Sequence, residues 1–326
     1  MKANHDIHNH NMFSNCCRDK TATVFAMIKR EEELGVEIYG LANHAWDEHV
    51  KGNSPWYAHQ SVAHALEAKY AFELYRGPVK LLFGIETDFF ATTNTLGMSY
   101  ETATKLDYLL VPHSHSHMRG WVMAEFPDIV MAKQKLAREI ESKMLVNPDA
   151  AARMANAAPV ELIEEYAKEF AIDREAHIMN HMLESMGMLL DHPEFKKIAG
   201  AIPVSVAHPF APGAASMDRR PAVVEKFVDL YEKEIFDLFK KAADMNVAME
   251  INLSATYENG FTGFNYVDDH PAVRLYRIAK RAGCKFTFGT DSHGPCDLER
   301  IHTSDDFTKA AGITEADVAD WACLKK

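Results

Sequence analysis

The residues best suited to chemistry open the chain, in Asp6-Ile7-His8-Asn9-His10. In an extended segment side chains alternate faces, so Asp6, His8 and His10 share one side while Ile7 points the other way. Two imidazoles aimed into one space suggest a metal, against the plainer alternative of a solvated tail that happens to hold histidines. Repetition decides between them. His44 follows the apolar run 38–42, Glu86 follows 81–85, His113 and His115 follow 109–112, His208 follows 204–207, and Asp291 with His293 follow 286–289. Imidazoles and carboxylates without a thiolate majority suit Zn, Mn or Fe better than Ca, and Glu86 or Asp291 is the kind of carboxylate that bridges two ions. A set this large is expected to hold more than one metal. Two or three divalent ions close together lower the pKa of a water and clamp phosphoryl oxygens, so the implied reaction is hydrolysis.

Ligands at the ends of apolar runs need a frame that repeats. A helix is expected over residues 21–34, started by a Thr and stopped by Gly35, and a strand over 36–42. Ser54-Pro55 opens a predicted helix of about twenty residues that runs to Arg76 and is broken by Gly77-Pro78. Strands follow over 79–85 and 106–111, later over 203–207, 247–251 and 284–288, with helices over 221–245 and 271–282 and a closing segment at 315–323. Glu250 and Asn252 lie near the end of the 247–251 run. Candidate chemistry confined to strand ends is the habit of a barrel, and about seven strand and helix units approach the eight of a TIM barrel.

Between residues 119 and 200 the alternation stops and helices are predicted over 128–145, 159–170, 174–189 and from Pro193. This reads as a helical insertion, a lid or a dimer element, splitting a barrel made of 1–118 and 201–326. Its apolar stripe Met179, Met182, Leu183, Met186, Leu189 and Leu190 is assigned to packing on the barrel or to a dimer seam. His177 and His181, four apart but without a third ligand, are read as structural, as are His59 and His64 on the predicted 54–76 helix.

Composition sets the outer bounds. With 47% hydrophobic and 25% charged residues, 326 residues fit one large domain with an insertion. A net charge of -12 argues against nucleic-acid backbone binding but leaves room for a small phosphorylated substrate. Five cysteines, an odd number without a C-x-x-C spacing, indicate neither a disulfide framework nor a zinc ribbon, so a reducing cytoplasm is the expected compartment. Residues 1–6 carry no apolar signal core, and no window approaches the roughly 18 apolar residues of a membrane span. Oligomeric state and metal identity are not set by the sequence.

The ordered set resembles the PHP (polymerase and histidinol phosphatase) family. Its D-x-H-x-H opening matches Asp6 to His10, its T-D-H strand end is similar to Ala42-Asn43-His44, its G-x-E matches Gly84-Ile85-Glu86, its H-P matches His208-Pro209, and its G-x-D-x-H matches Gly289 to His293. The resemblance implies an α/β fold, a distorted (βα)7 TIM-like barrel with a helical insertion, and two to three divalent ions. It implies a first ion on His8 and His10 with Glu86 and Asp291 shared, and a second on Glu86, His208 and either His113 or His115. A third falls to His44 and His293. Where many family phosphatases place a His or Asp in the loop after His10, this chain has Cys16, so that either Cys16 or Cys17 supplies a thiolate or the third ion is weak, and Asn43 stands for the family's Asp. Arginines are the expected phosphate partners because their fork matches phosphate oxygens. Arg18, Arg119, Arg219 and Arg220 lie in loops near the ligands, with Arg119 and Arg219 taken as catalytic candidates alongside Glu86 and Asp291.

The expected activity is hydrolysis of a small phosphate monoester through a metal-bound hydroxide. The alternatives are an amidohydrolase-type C–N hydrolase on the same metal barrel and a non-catalytic accessory module. No strand-end Lys is placed to be carboxylated, which counts against the first of these.

Overall fold

Apolar runs rich in branched and aromatic residues become short parallel strands, buried on both faces over most of their length as a barrel wall requires. The structure, a computed structural model, describes residues 1–115, 118–149, 151, 160–210, 220–256 and 270–322. In chain order the strands are β1 (His5–Asp6), β2 (Ile38–Leu41), β3 (Lys80–Glu86), β4 (Phe89–Phe90), β5 (Thr95–Leu96), β6 (Tyr108–Pro112), β7 (Val204–Ala207), β8 (Ala248–Asn252) and β9 (Phe286–Gly289). Seven of them form one parallel sheet in the order β1-β2-β3-β6-β7-β8-β9. The sheet curls back on itself: Ile7 N donates to Phe288 O at 3.0 Å and Asp291 N to His8 O at 2.8 Å, joining β9 to β1. The result is a nearly closed seven-stranded α/β barrel surrounded by helices. β4 and β5 form a separate antiparallel pair between β3 and β6, too short for sequence periodicity to reveal.

Local signals explain several boundaries. The Val24–Leu34 helix starts where Thr23 accepts a hydrogen bond from Ala26 N and stops at Gly35, whose φ of 76° is left-handed. The single helix predicted over 54–76 is corrected to a 3-10 turn at Pro55–Tyr57 and helices Val62–Glu67 and Lys69–Leu74. Gln60 is the reason: its carbonyl leaves the helical path to accept Trp46 N at 2.8 Å, and Ser61 then caps a new start by accepting His64 N. The closing segment is two 3-10 turns, Glu315–Asp317 and Asp320–Ala322, where one helix was expected; Cys323 lies outside the described residues.

Inside the barrel, Tyr108 fills the space that Gly40 and Gly84 leave, for a Cβ at either glycine would run into its ring or hydroxyl. Its hydroxyl donates to Ile7 O at 2.6 Å, and Trp321 stacks on it with centroids 5.7 Å apart. Val318 pairs with Phe286, where β9 begins, so this end of the chain closes the amino end of the barrel.

Between β6 and β7 run the helices Pro127–Met144, Val160–Ala167, Arg174–Asp191 and Pro193–Ala199. Met179, Met182, Met186, Leu189 and Leu190 are fully buried in the same core as the barrel wall. Each such side chain contributes roughly 1.5–3 kcal/mol, which fixes the Arg174–Asp191 helix on the barrel.

Candidate metal centre

The carboxyl ends of the strands deliver the predicted residues to one place. Glu86 ends β3, and around its carboxylate His8 Nε2 lies 3.1 Å from Oε2, His10 Nε2 3.3 Å, His44 Nε2 3.1 Å, and His208 Nε2 3.3 Å from Oε1. Asp291 Oδ1 sits 3.2 Å from His10 Nε2 and 3.6 Å from His8 Nε2. Four overlapping sets have ligand atoms within 4.8 Å of one another: His8, His10 and Asp291; His10, His44 and Glu86; Glu86, His115 and His208; and His10, Cys16 and His293. The backbone bends sharply to achieve this. His208 and Asp291 leave their strands at φ of 30° and 51°, left-handed conformations that cost non-glycine residues on the order of 1–3 kcal/mol each.

Whether the cluster fits metal ions is tested by its unpaired atoms. His8 Nε2, both ring nitrogens of His10, and Glu86 Oε2 are buried and make no hydrogen bond among the described residues. Close approach without hydrogen bonding is what lone pairs aimed at a common third body produce, and leaving such groups orphaned would otherwise cost about 1–3 kcal/mol apiece. The donors are N, O and one S, as expected for Zn, Mn or Fe. The cluster fits.

Two carboxylates stand behind the imidazoles. Glu250, inside β8, holds His8 Nδ1 at 2.6 Å and accepts His208 N at 2.6 Å with its other oxygen. Gly289 makes room for that contact, since a Cβ there would collide with Glu250 and His8. Asp88 holds His115 Nδ1 at 2.7 Å and accepts the Tyr57 hydroxyl at 2.5 Å. Carboxylates on Nδ1 fix the tautomer that leaves Nε2 as a lone pair, the usual support for a metal-bound histidine. From sequence, Glu250 is placed at its strand end without a role, and Asp88 is not noted. Glu250 carried a signal, an acid within the apolar run 248–251 that needs a buried partner, and Asp88 lies one strand period past Glu86.

Electrostatics agree with this geometry. Burial alone would raise Glu86, but His44 and His8 hold its carboxyl well below the usual range. Asp291 is likewise held down against burial by His8 and His10. Burial works against the charged forms of His8 and His115, yet Glu250 and Glu86 raise the first and Asp88 raises the second. For Cys16 burial raises the thiol, and the neighbouring His10 and His44 bring it well below its ordinary value.

His113 is not brought to the cluster. Its Nε2 accepts Phe210 N at 3.2 Å and its Nδ1 meets Ser185 Oγ at 3.1 Å, so both nitrogens are occupied and burial depresses its pKa. Of the two alignments the sequence allowed, only His115 faces Glu86 and His208. His117 of the same run lies outside the described residues. Arg119 also sits elsewhere: its guanidinium covers the Phe126 ring at 4.2 Å, and its charged neighbours are Arg174, Glu164, Glu125 and Asp128. Arg219 lies outside the described residues. Asn43 turns away from His44: it accepts Asn11 N at 2.9 Å and donates to Asn11 Oδ1 at 2.8 Å, bracing the loop that follows His10. Asp6 does not face the ligands; Thr290 N and Oγ1 donate to it at 3.0 and 2.5 Å, and burial raises it to about 6. His177 packs on Phe126, and His64 packs on Phe13.

No family model and no curated protein match this sequence. Among solved structures the chain is similar to histidinol phosphate phosphatase (HISK) from Lactococcus lactis subsp. lactis Il1403, a structure complexed with zinc, L-histidinol and phosphate. The likeness covers 99% of both chains at 15% identity with a TM-score of 0.53. A likeness to the HPPK-DHPS of Plasmodium falciparum covers 95% of this chain and 48% of that one, at 10% identity and a TM-score of 0.34. The barrel seen here therefore shares the fold of that histidinol phosphate phosphatase structure.

Proposed function

We propose that this chain is a metal-dependent phosphoesterase of the PHP family that hydrolyses a small phosphate monoester. The observation that carries this is the set of buried, unpaired ligand atoms gathered around Glu86. In this reading His8, His10, Glu86 and Asp291 hold one ion, Glu86, His115 and His208 a second, and Cys16, His44 and His293 a third. Divalent Zn, Mn or Fe, when bound, supplies positive charge for the phosphoryl oxygens and lowers the pKa of water. The protein's own part is orientation. Glu250 keeps the proton of His8 on Nδ1, and Asp88, itself clamped by Tyr57, does the same for His115. Glu86 is buried, whereas the Asp291 side chain is 23% exposed, so Asp291 is the carboxylate that can orient an attacking water at the mouth. Asn252 Nδ2 lies 3.5 Å from Asp291 Oδ2 and steadies that face. A phosphate-gripping arginine is still required, and Arg219, shortly after His208 in sequence, is the candidate for it. The histidinol phosphate phosphatase fold supports a small phosphorylated substrate without naming it.

The test is hydrolysis of an aryl phosphate and a panel of small phosphate monoesters by the chain loaded with Zn or Mn, beside a panel of amides. Metal-dependent ester turnover that disappears in His8→Ala and Asp291→Ala is expected. Turnover confined to amides would favour the C–N hydrolase, and tightly bound metal with no turnover would favour an accessory module.

A further inference from the structure

The loop after His10 is held more firmly than a surface loop needs to be. Asn43 makes two hydrogen bonds to Asn11, whose side chain in turn accepts Phe13 N at 3.0 Å. Gln60 Oε1 accepts Asn15 N at 2.8 Å and Ser14 Oγ at 3.3 Å. On the far side Cys17 Sγ donates to His293 O at 2.9 Å. These ties fix the one residue between them, Cys16, with its Sγ in the same 4.8 Å group as His10 and His293. His10 is fully buried and neither of its ring nitrogens makes a hydrogen bond among the described residues. The other three groups contain only nitrogen and oxygen donors.

From this asymmetry we infer that the centre is chemically divided: the position at Cys16 and His293 is a thiolate site that selects Zn over Mn, while the positions around Glu86 accept either. The inference rests on the metal-centre reading above. Soft thiolate ligands favour Zn, and carboxylate-rich sets suit Mn as well, so one sulfur donor among otherwise shared ligands is enough to separate the positions. Asn43, which stands where a carboxylate was expected, serves this by bracing the cysteine loop.

The experiment uses the full chain stripped of metal by a chelator and titrated with Co(II), a spectroscopic stand-in for Zn. The expected result is a thiolate-to-cobalt charge-transfer band in the near ultraviolet, absent in Cys16→Ser and retained in Cys17→Ser. In competition, one Zn per chain should resist displacement by Mn at least about tenfold better than the rest, and Cys16→Asp should abolish that difference. Circular dichroism of each variant establishes folding. Cobalt bound without the band, or a band that survives Cys16→Ser in a folded chain, would overturn the inference. A band without turnover on any ester would uphold it while defeating the phosphoesterase reading, and failure to bind cobalt at all would defeat both.

Discussion

The two ends of this barrel are made from the same strands and behave oppositely. At the amino end, Tyr108 and Trp321 stack over one another and the segment around Val318 seals the opening, so the residues there are spent on packing. At the carboxyl end, His208 and Asp291 sit in left-handed backbone conformations and six imidazoles and two carboxylates crowd together, with buried atoms of His8, His10 and Glu86 that make no hydrogen bond among the described residues. An apolar end gains stability from every contact, whereas the ligand end carries strain and buried charge that only bound cations offset. Stability and chemistry are thus separable by position along each strand, and mutations should sort the same way.

The largest effect is expected at the ligand end. Glu86→Gln should lower kcat/KM on a phosphate ester at least about a thousandfold, near 4 kcal/mol of transition-state stabilisation, read by steady-state kinetics at saturating metal. In the barrel wall the expected effect is on pH dependence. His5 Nε2 accepts Phe288 N at 2.9 Å, and burial lowers its pKa from 6.5 to about 3. The folded state then binds fewer protons than the unfolded one, so this stability is complete above 6.5 and is lost as pH falls toward 3. Denaturant unfolding should show His5→Gln retaining about 3 kcal/mol relative to wild type between neutral pH and about pH 4. Asp6, raised to about 6 by burial, works in the opposite sense: its contribution grows as pH falls from about 6 to 3.8.

At the amino end, Trp321→Ala should cost roughly 2–3 kcal/mol in thermal or denaturant unfolding, below the range for a fully buried Trp, while the folded fraction keeps its metal content and kcat. Asp88→Asn sharpens the contrast because it lies behind the ligands. It should weaken metal binding about 10–100-fold, measured by chelator competition, with stability nearly unchanged. The smallest effect separates two histidines two residues apart: His115→Gln should remove one ion from the elemental count, whereas His113→Gln should keep every ion and cost about 1–2 kcal/mol through its lost bonds to Phe210 N and Ser185.

The sequence made the ligand end legible because a strand terminus in a barrel is a fixed address, and His or Asp after an apolar run has few reasons to be there. The barrel class followed from the same alternation. What escaped was anything that depends on a change of direction. His113 and His115 follow β6 in a loop, where no period decides which one faces inward. The helix expected over 54–76 broke at Gln60 because a tertiary bond to Trp46 outweighed local propensity. Arg119 was read from its nearness in sequence to His115, yet the chain carries it to the base of the Pro127–Met144 helix, where Phe126 takes its guanidinium. Asp88 and Glu250 act through other residues, and such support is visible only once the ring nitrogens they hold have been placed.

Elemental analysis of the purified chain, with the same measurement on Glu86→Gln, tests the central claim most directly. Two to three transition-metal ions per chain, falling by at least one in the folded variant, is the predicted result. A folded wild-type chain that holds no metal and takes up none from Zn or Mn would contradict the account, because the unpaired atoms around Glu86 would then need another explanation.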